Sequence, residues 1–308
     1  MISPPLPSGF VPHGGLLLMN KLPGITSFDA LKSVKKTFST GKVGHTGTLD
    51  KFASGLLLIL VGRGVKLAKL FTNCVKEYTA AIFFGAETDT LDPEGAVIAT
   101  GKIPSREEIE TVLENFRGEI LQAPPAYSAI HINGRRAHEL VREGKEPEMK
   151  KRPCTVFELE LLSWTPPEAV IRVTVSAGTY IRSLARDIAL AAGTRAHLSA
   201  LKRTRVGTFR LEDASEELST ETLQPLDRDL FNTLSLPVFF IDEKEVNGFF
   251  NGRPLEKLLA GAGYYSPAIS SAAEEPFAGV FTKDTPARFL GILEKRNNKW
   301  NYAHVFRD

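Results

Sequence analysis

Apolar residues fall into two rhythms along this chain, and the rhythms mark its elements. Gly15 to Asn20 reads as a buried strand, closed by the turn Leu22-Pro23-Gly24. Leu56 to Val61 is a continuous apolar run of strand length, the pattern of a strand buried on both faces, and Tyr78 to Phe84 predicts another. Helical spacing takes over at Leu31, Val34 and Phe38, in a helix that Ser27 could cap. A second helix begins at Ser105-Arg106-Glu107-Glu108, which fits a capping box. Ile109, Val112, Leu113 and Phe116 share its inner face, and Gly118 supplies a stop. Val156 to Leu162 and Val170 to Val175 predict neighbouring strands. Tyr180 to Ala192 predicts a helix with Ile181, Leu184 and Ile188 inward and Gly193 as its terminator. Ala196 to Phe209 suggests a further strand region.

Strands and helices therefore mix without a regular βαβ alternation, which predicts an α+β sheet rather than a doubly wound one. Gln122 to Pro153 is polar, basic and broken by prolines, the signature of a protruding insertion. The character changes near Pro237 to Asp242, and Gly279 to Thr282 and Phe289 to Leu293 are short strand-like pieces beyond it. The expected organisation is a large domain over 1–240, with an insertion at about 122–152, and a small, mostly β domain over 241–308.

Composition narrows the class. A length of 308 residues suits one large domain or a large and a small one, and 43% hydrophobic with 24% charged residues is ordinary for a globular protein. The longest apolar runs, Gly15 to Met19 and Leu56 to Val61, are too short to span a bilayer. Met1 to Gly15 is rich in Pro and Gly and lacks the basic start and apolar core of a secretory signal, so a cytoplasmic protein is expected. Cys74 and Cys154 cannot form a four-cysteine zinc site, and a disulfide framework does not suit so large a chain. A net charge of +2 decides nothing about nucleic acid. Its distribution is more telling, because Arg135, Arg136, Arg142, Lys145, Lys150, Lys151 and Arg152 crowd one segment, and Arg195, Lys202, Arg203, Arg205 and Arg210 another. Such clusters attract phosphates, though solvated surface charge has the same composition.

Three segments can carry chemistry. Lys42-Val43-Gly44-His45-Thr46-Gly47-Thr48-Leu49-Asp50 places an imidazole and a carboxylate in one glycine-rich loop. A hydrolytic pair, a metal ligand set, a nucleic-acid contact and a purely structural turn all fit such a loop. No second His or Cys stands at ligand spacing, and the loop lacks the Gly-Lys-Ser/Thr ending of a phosphate-binding loop. Gly178-Thr179-Tyr180-Ile181-Arg182 sits at a strand-to-helix junction, where the arginine either stays at the surface or pairs with a carboxylate across a cleft. Lys76-Glu77-Tyr78 opens a strand, and its tyrosine is either core or a ring on which a base stacks.

Read in this order, these segments resemble the TruB family of pseudouridine synthases, which modify uridine 55 in the T loop of tRNA. Asn20-Lys21-Leu22-Pro23-Gly24-Ile25-Thr26-Ser27 is similar to the family's first motif, Lys42 to Leu57 to its catalytic loop, and Lys76-Glu77-Tyr78 to its tyrosine motif. Pro124-Pro125-Ala126-Tyr127-Ser128-Ala129 resembles the start of an RNA-gripping insertion, and Gly178 to Leu184 the arginine motif. The chain departs from the family at Lys51, where proline is common, at His131, where lysine is usual, and at Val65-Lys66, where threonine-lysine is common.

The resemblance implies a mixed, mainly antiparallel sheet with flanking helices and a small PUA-like RNA-binding domain at the C-terminal end. It implies Asp50, Tyr78 and Arg182 as catalytic residues, with Arg182 beside Asp50 and holding its pKa low. It implies RNA contacts from His45, Lys21, Lys66, Tyr127, Arg135, Arg136, Arg142, Lys145 and Leu201. No cofactor and no metal are implied; the expected partner is the T stem-loop of tRNA, with no obligatory protein partner, from a monomer. Three alternatives remain: a non-catalytic tRNA-binding or folding protein, the catalytic subunit of a guide-RNA pseudouridylation particle, and a metal-dependent hydrolase built on His45 and Asp50.

Overall fold

The computed structural model describes residues 14–128, 130–132, 134–145, 147–215, 217–267 and 276–307. The Pro- and Gly-rich start before residue 14, and Ala129 of the fourth motif, lie outside them. In chain order, β1 (Gly15–Lys21) leads to α1 (Ser27–Thr37), β2 (Val43–His45) and β3 (Ser54–Val61), then through a 3-10 helix (Gly62–Phe71) to β4 (Lys76–Phe84). A hairpin of β5 (Ala86–Thr88) and β6 (Val97–Thr100) precedes α2 (Arg106–Glu114) and β7 (Gly118–Gln122). The insertion carries a hairpin of β8 (His131–Ile132) and β9 (Arg135–Arg136), and α3 (Ala137–Arg142). Then come β10 (Arg152–Thr165), β11 (Glu168–Val175), α4 (Ile181–Ala191), β12 (Ala196–Val206), β13 (Phe209–Arg210), β14 (Gln224–Pro225) and α5 (Arg228–Thr233).

The main sheet runs β14-β1-β3-β12-β4-β11-β10-β7, with β2 on β3 and β13 on β12. Every pairing in it is antiparallel except β12 with β3, which meet at Lys202↔Ser54 and Arg203↔Gly55. The architecture is α+β, as expected. The continuous apolar runs have their cause in two cores. Leu17, Leu57, Ile59 and Val61 face α1, α2 and α4, whereas Leu16, Leu18, Leu56, Leu58 and Leu60 face the 3-10 helix and the C-terminal sheet. A strand with a core on each side has no polar alternation to show.

That C-terminal sheet runs in the order β16 (Gly263–Tyr265), β15 (Val238–Ile241), β17 (Phe277–Thr282), β18 (Phe289–Arg296), β19 (Lys299–Val305). Its own core forms with α6 (Glu243–Phe250) and α7 (Leu255–Leu259), and Ile292 and Phe306 join the core beneath the main sheet. β15 spans residue 240, where the sequence suggested a boundary. Among the described residues no helix is long and apolar enough to cross a membrane.

Three local expectations need correction. The cap of α1 is Thr26, not Ser27: Thr26 and Asp29 form the capping box, which frees Ser27 for another task. Gly118 does not end α2, which closes at Asn115; at φ +86 it opens β7. The glycine-rich loop also contains a strand, because β2 finds partners from Val43↔Val61 to His45↔Ile59 on β3. Tertiary pairing, rather than local periodicity, makes it a strand.

Candidate active site

A cleft of about 710 Å³ opens where the end of β2, the loop 46–53, the start of α1 and the start of α4 meet. Asp50 lies on its wall, with its side chain 37% exposed. Arg182, in the first turn of α4, is nearly buried and faces it. Its Nη2 donates to Asp50 Oδ1 at 3.2 Å, and its Nε lies 3.0 Å from Asp50 Oδ2. The second contact is ionic, since Nε has no partner at hydrogen-bond geometry. The guanidinium is held from its other edge as well. Nη1 donates to Thr90 O at 2.9 Å and to Asp92 Oδ2 at 3.3 Å, and Nη2 to Tyr127 O at 3.1 Å. One planar cation therefore orients the carboxylate and is itself fixed by two further loops, the hairpin tip at Thr90 and Asp92 and the segment at Tyr127.

Asp92 was not among the expected site residues. It stands at the tip of the β5–β6 hairpin, where Thr90 donates to its Oδ1 at 2.6 Å and Glu94 N does so at 3.1 Å. The preceding Leu91 is buried at φ +61, a strained conformation for a branched side chain, and this bend turns Asp92 towards Arg182. The run Asp89-Thr90-Leu91-Asp92-Pro93-Glu94-Gly95 reads as turn chemistry, but nothing in its spacing names a partner 90 residues away.

The loop bearing Asp50 is braced from beneath. Ser27 Oγ donates to Leu49 O at 3.0 Å and accepts from Leu49 N at 2.8 Å. Arg203 Nε donates to Leu56 O at 2.7 Å and its Nη2 to Gly47 O at 3.1 Å. A Cβ on Gly55 would lie 2.3 Å from Arg203 O, so only glycine allows β12 to approach here. Arg203 is 2% exposed. The sequence grouped it with phosphate-attracting cations, and its burial corrects that. Lys21 is a second correction to the expected RNA contacts. It is fully buried, and its Nζ donates to Leu22 O at 3.0 Å and Ile25 O at 2.7 Å, tying down the first motif. Burial lowers the Lys21 pKa, with Arg203 adding to the effect and Asp50 opposing it.

Burial also decides the Asp50 pKa. Desolvation pushes the carboxyl above the ordinary aspartate value; Arg182 and Lys21 pull it back, and Asp92 adds to the rise. The expectation that Arg182 holds it low is corrected, because the pairing only partly offsets the loss of water. His45 has its pKa pushed down by burial and then by Arg203, which favours the neutral imidazole.

Of the other expected residues, His45, Tyr78, Tyr127, Arg142 and Leu201 line the same cleft as Asp50 and Arg182. Tyr78 is 7% exposed on β4, opposite Arg203 across the sheet. Tyr180, also on the cleft wall, is clamped by Gln122, whose amide accepts from Tyr180 N at 2.8 Å and donates to Tyr180 O at 3.1 Å. Arg135, Arg136 and Lys145 lie outside the cleft on the insertion, with Arg135 and Lys145 both paired to Glu143. Lys66 lies elsewhere, in a cleft of about 630 Å³ between the 3-10 helix and the C-terminal sheet. Lys51, the departure next to Asp50, reaches Glu94 Oε1 at 2.8 Å and so ties the loop bearing Asp50 to the hairpin that carries Asp92.

The sequence pattern of the TruB family pseudouridylate synthase N-terminal domain matches residues 35–181, and that of the tRNA pseudouridylate synthase B C-terminal domain matches 182–232. The protein named tRNA pseudouridine synthase B of Borreliella burgdorferi (strain ZS7) is 46% identical over 245 residues, covering 78% of this chain and 86% of that relative. This chain belongs to the TruB family. A relative of the same name from Treponema denticola is 37% identical, covering 77% of this chain and 82% of its own. A chain of a Cbf5-Nop10-Gar1 complex shares the fold at a TM-score of 0.67 and 24% identity, over 96% of this chain and 84% of that one. Membership of the TruB family makes the protein a pseudouridine synthase, an isomerase, and the cleft around Asp50 is its candidate active site.

Proposed function

We propose that this TruB enzyme isomerises uridine 55 in the T loop of tRNA, with Asp50 as the essential carboxylate. The observation that carries the reading is the Asp50–Arg182 pair on the wall of a cleft large enough for a flipped nucleotide. The relatives' name supplies the substrate class.

The reaction breaks the bond between uracil N1 and ribose C1′, turns the base, and joins C5 to C1′; C5 then gives up its proton and N1 takes one up. Atoms are only rearranged within one nucleoside, so the chemistry calls for no oxidant and no group donor. Asp50 acts ionised, either by covalent attack or by abstracting a sugar proton, and Arg182 fixes its direction in both routes. A base inside a folded loop must first be flipped out, at a cost of a few kcal/mol. His45 fills the space the base leaves, Tyr78 stacks on the flipped uracil, and Leu201 closes the pocket. Tyr127 and Arg142 border the entry, and Arg135, Arg136 and Lys145 hold the RNA backbone from the insertion. Lys66 and the C-terminal sheet extend that contact, and the division between domains falls before β15. The protein works as a cytoplasmic monomer without an obligatory protein partner; the chains of the Cbf5-Nop10 complexes share its fold at low identity only.

The test is an unmodified tRNA transcript incubated with wild-type and Asp50→Asn protein, with pseudouridine mapped at single-nucleotide resolution. Product at position 55 from the wild type alone is expected. Binding without product from the wild type would turn the reading towards a tRNA-binding protein.

A further inference from the structure

The mouth of the cleft has an apolar rim that the fold leaves uncovered. Phe28 is 63% exposed, Leu22 64% and Ile25 38%, all within the first motif and the start of α1. Phe28 lines the same cleft as Asp50. An exposed aromatic on a loosely held loop would mean little, but the backbone on either side of this one is tied down. Gly24 N donates to Lys51 O at 2.8 Å, Lys21 Nζ to Ile25 O at 2.7 Å, and Thr26 and Asp29 close the capping box on either side of Phe28. Its neighbour Ser27 is bonded twice to Leu49, the residue before Asp50. The backbone that carries the ring is thus tied to the segment of the catalytic carboxylate through a short chain of hydrogen bonds. Lys35 Nζ stands over the ring, 5.4 Å from its centroid, so a cation caps one π-face and the exposed remainder of the ring is open to a base.

We propose that Phe28 is a stacking platform for an unpaired base of the substrate RNA, the neighbour of the uridine drawn into the cleft. This rests on the functional reading above and adds a binding residue to it. A flat, exposed ring on a braced backbone, continuous with the cleft, suits the π-face of a base. The Lys35 cation beside it meets the negative backbone that must accompany that base, and an apolar protein partner would gain nothing from it.

The test compares Phe28→Ala, Phe28→Leu, Phe28→Tyr and Phe28→Trp on an RNA hairpin bearing the T loop, by steady-state kinetics and direct binding. Loss of one stacked base predicts a KM and Kd about tenfold higher for the Ala and Leu variants, with kcat little changed and the Tyr variant close to wild type. In Phe28→Trp, RNA should quench indole emission beyond the change seen for Trp164 and Trp300 in the wild type. Wild-type behaviour of the Leu variant would reduce the site to a greasy rim, and wild-type behaviour of the Ala variant would remove it altogether. A fall in kcat at constant KM would overturn the proposal in favour of a structural role beneath Asp50. If the wild-type enzyme forms no pseudouridine, the functional reading fails by itself, and RNA quenching of Phe28→Trp still decides the platform.

Discussion

Buried cations and exposed cations behave as two different materials in this molecule. Lys21, Arg182 and Arg203 are almost without solvent, and they spend most of their donors on backbone carbonyls that fix the loops around Asp50. Arg135 and Lys145 lie in water on the insertion and share Glu143 as their partner. Exposed pairs of this kind contribute little to stability and are readily exchanged for phosphate. Buried ones cannot leave without stranding polar groups. Position in the fold, rather than residue type, therefore separates the cations that shape the site from those able to grip a polyanion.

The sharpest break of this comparison is at Asp50, the carboxylate that faces the cleft beside the buried cations. Asp50→Asn is expected to cut pseudouridine formation by about 10³-fold or more while sparing RNA binding. Its stability should move the other way. Because the folded-state pKa of Asp50 is raised, its stabilising contribution is full below the unfolded pKa and is lost as pH rises through the folded one. At neutral pH the ionised carboxylate therefore costs stability, and Asp50→Asn should melt higher than wild type in a thermal scan. The acid limb of kcat against pH should fall at a pH above that of an ordinary aspartate. A lower melting temperature, or an acid limb at the ordinary value, would contradict the burial argument.

Next in size is Arg182→Lys, which keeps the charge and loses the fork. A point charge cannot face Asp50, Asp92 and the Thr90 and Tyr127 carbonyls together. A carboxylate misplaced by an ångström predicts a fall in kcat of about 10²-fold, with KM little changed. Arg203→Met should act on stability instead. Stranding the Leu56 and Gly47 carbonyls is expected to cost about 3 kcal/mol, read from denaturant unfolding at constant m-value.

Much of this architecture is legible in the sequence, and what is not legible has a common cause. The buried strands, the capping box at Ser105 and the helix carrying Arg182 follow from local periodicity and cap chemistry, which act within a few residues. The pairing of Asp50 with Arg182 is not local, and only the order of motifs suggested it. Arg203 was read as a surface cation because composition does not record which way a strand residue points. In β12 it occupies a buried position, as Leu201 and Val206 do. Asp92 escaped because its role depends on a strained turn at Leu91 and a partner far along the chain. The direction of the Asp50 pKa is hidden for a similar reason: the sequence offers the arginine, but not the desolvation that outweighs it.

The smallest expected effect sharpens the exposed side of the comparison. Arg135→Ala removes a side chain whose partner, Glu143, keeps Lys145, so the melting temperature should stay where it is. What should change is the electrostatic grip. Log Kd for tRNA against log salt should lose about one unit of slope if Arg135 meets a phosphate, and affinity at moderate salt should weaken several-fold. A charge-reversing Glu143→Lys should push the other way, steepening the slope by freeing Arg135 and adding a cation. If neither variant alters the slope while Asp50→Asn and Arg182→Lys abolish or cripple turnover, the insertion's cations are solvated surface charge, and RNA grip must come from the cleft itself.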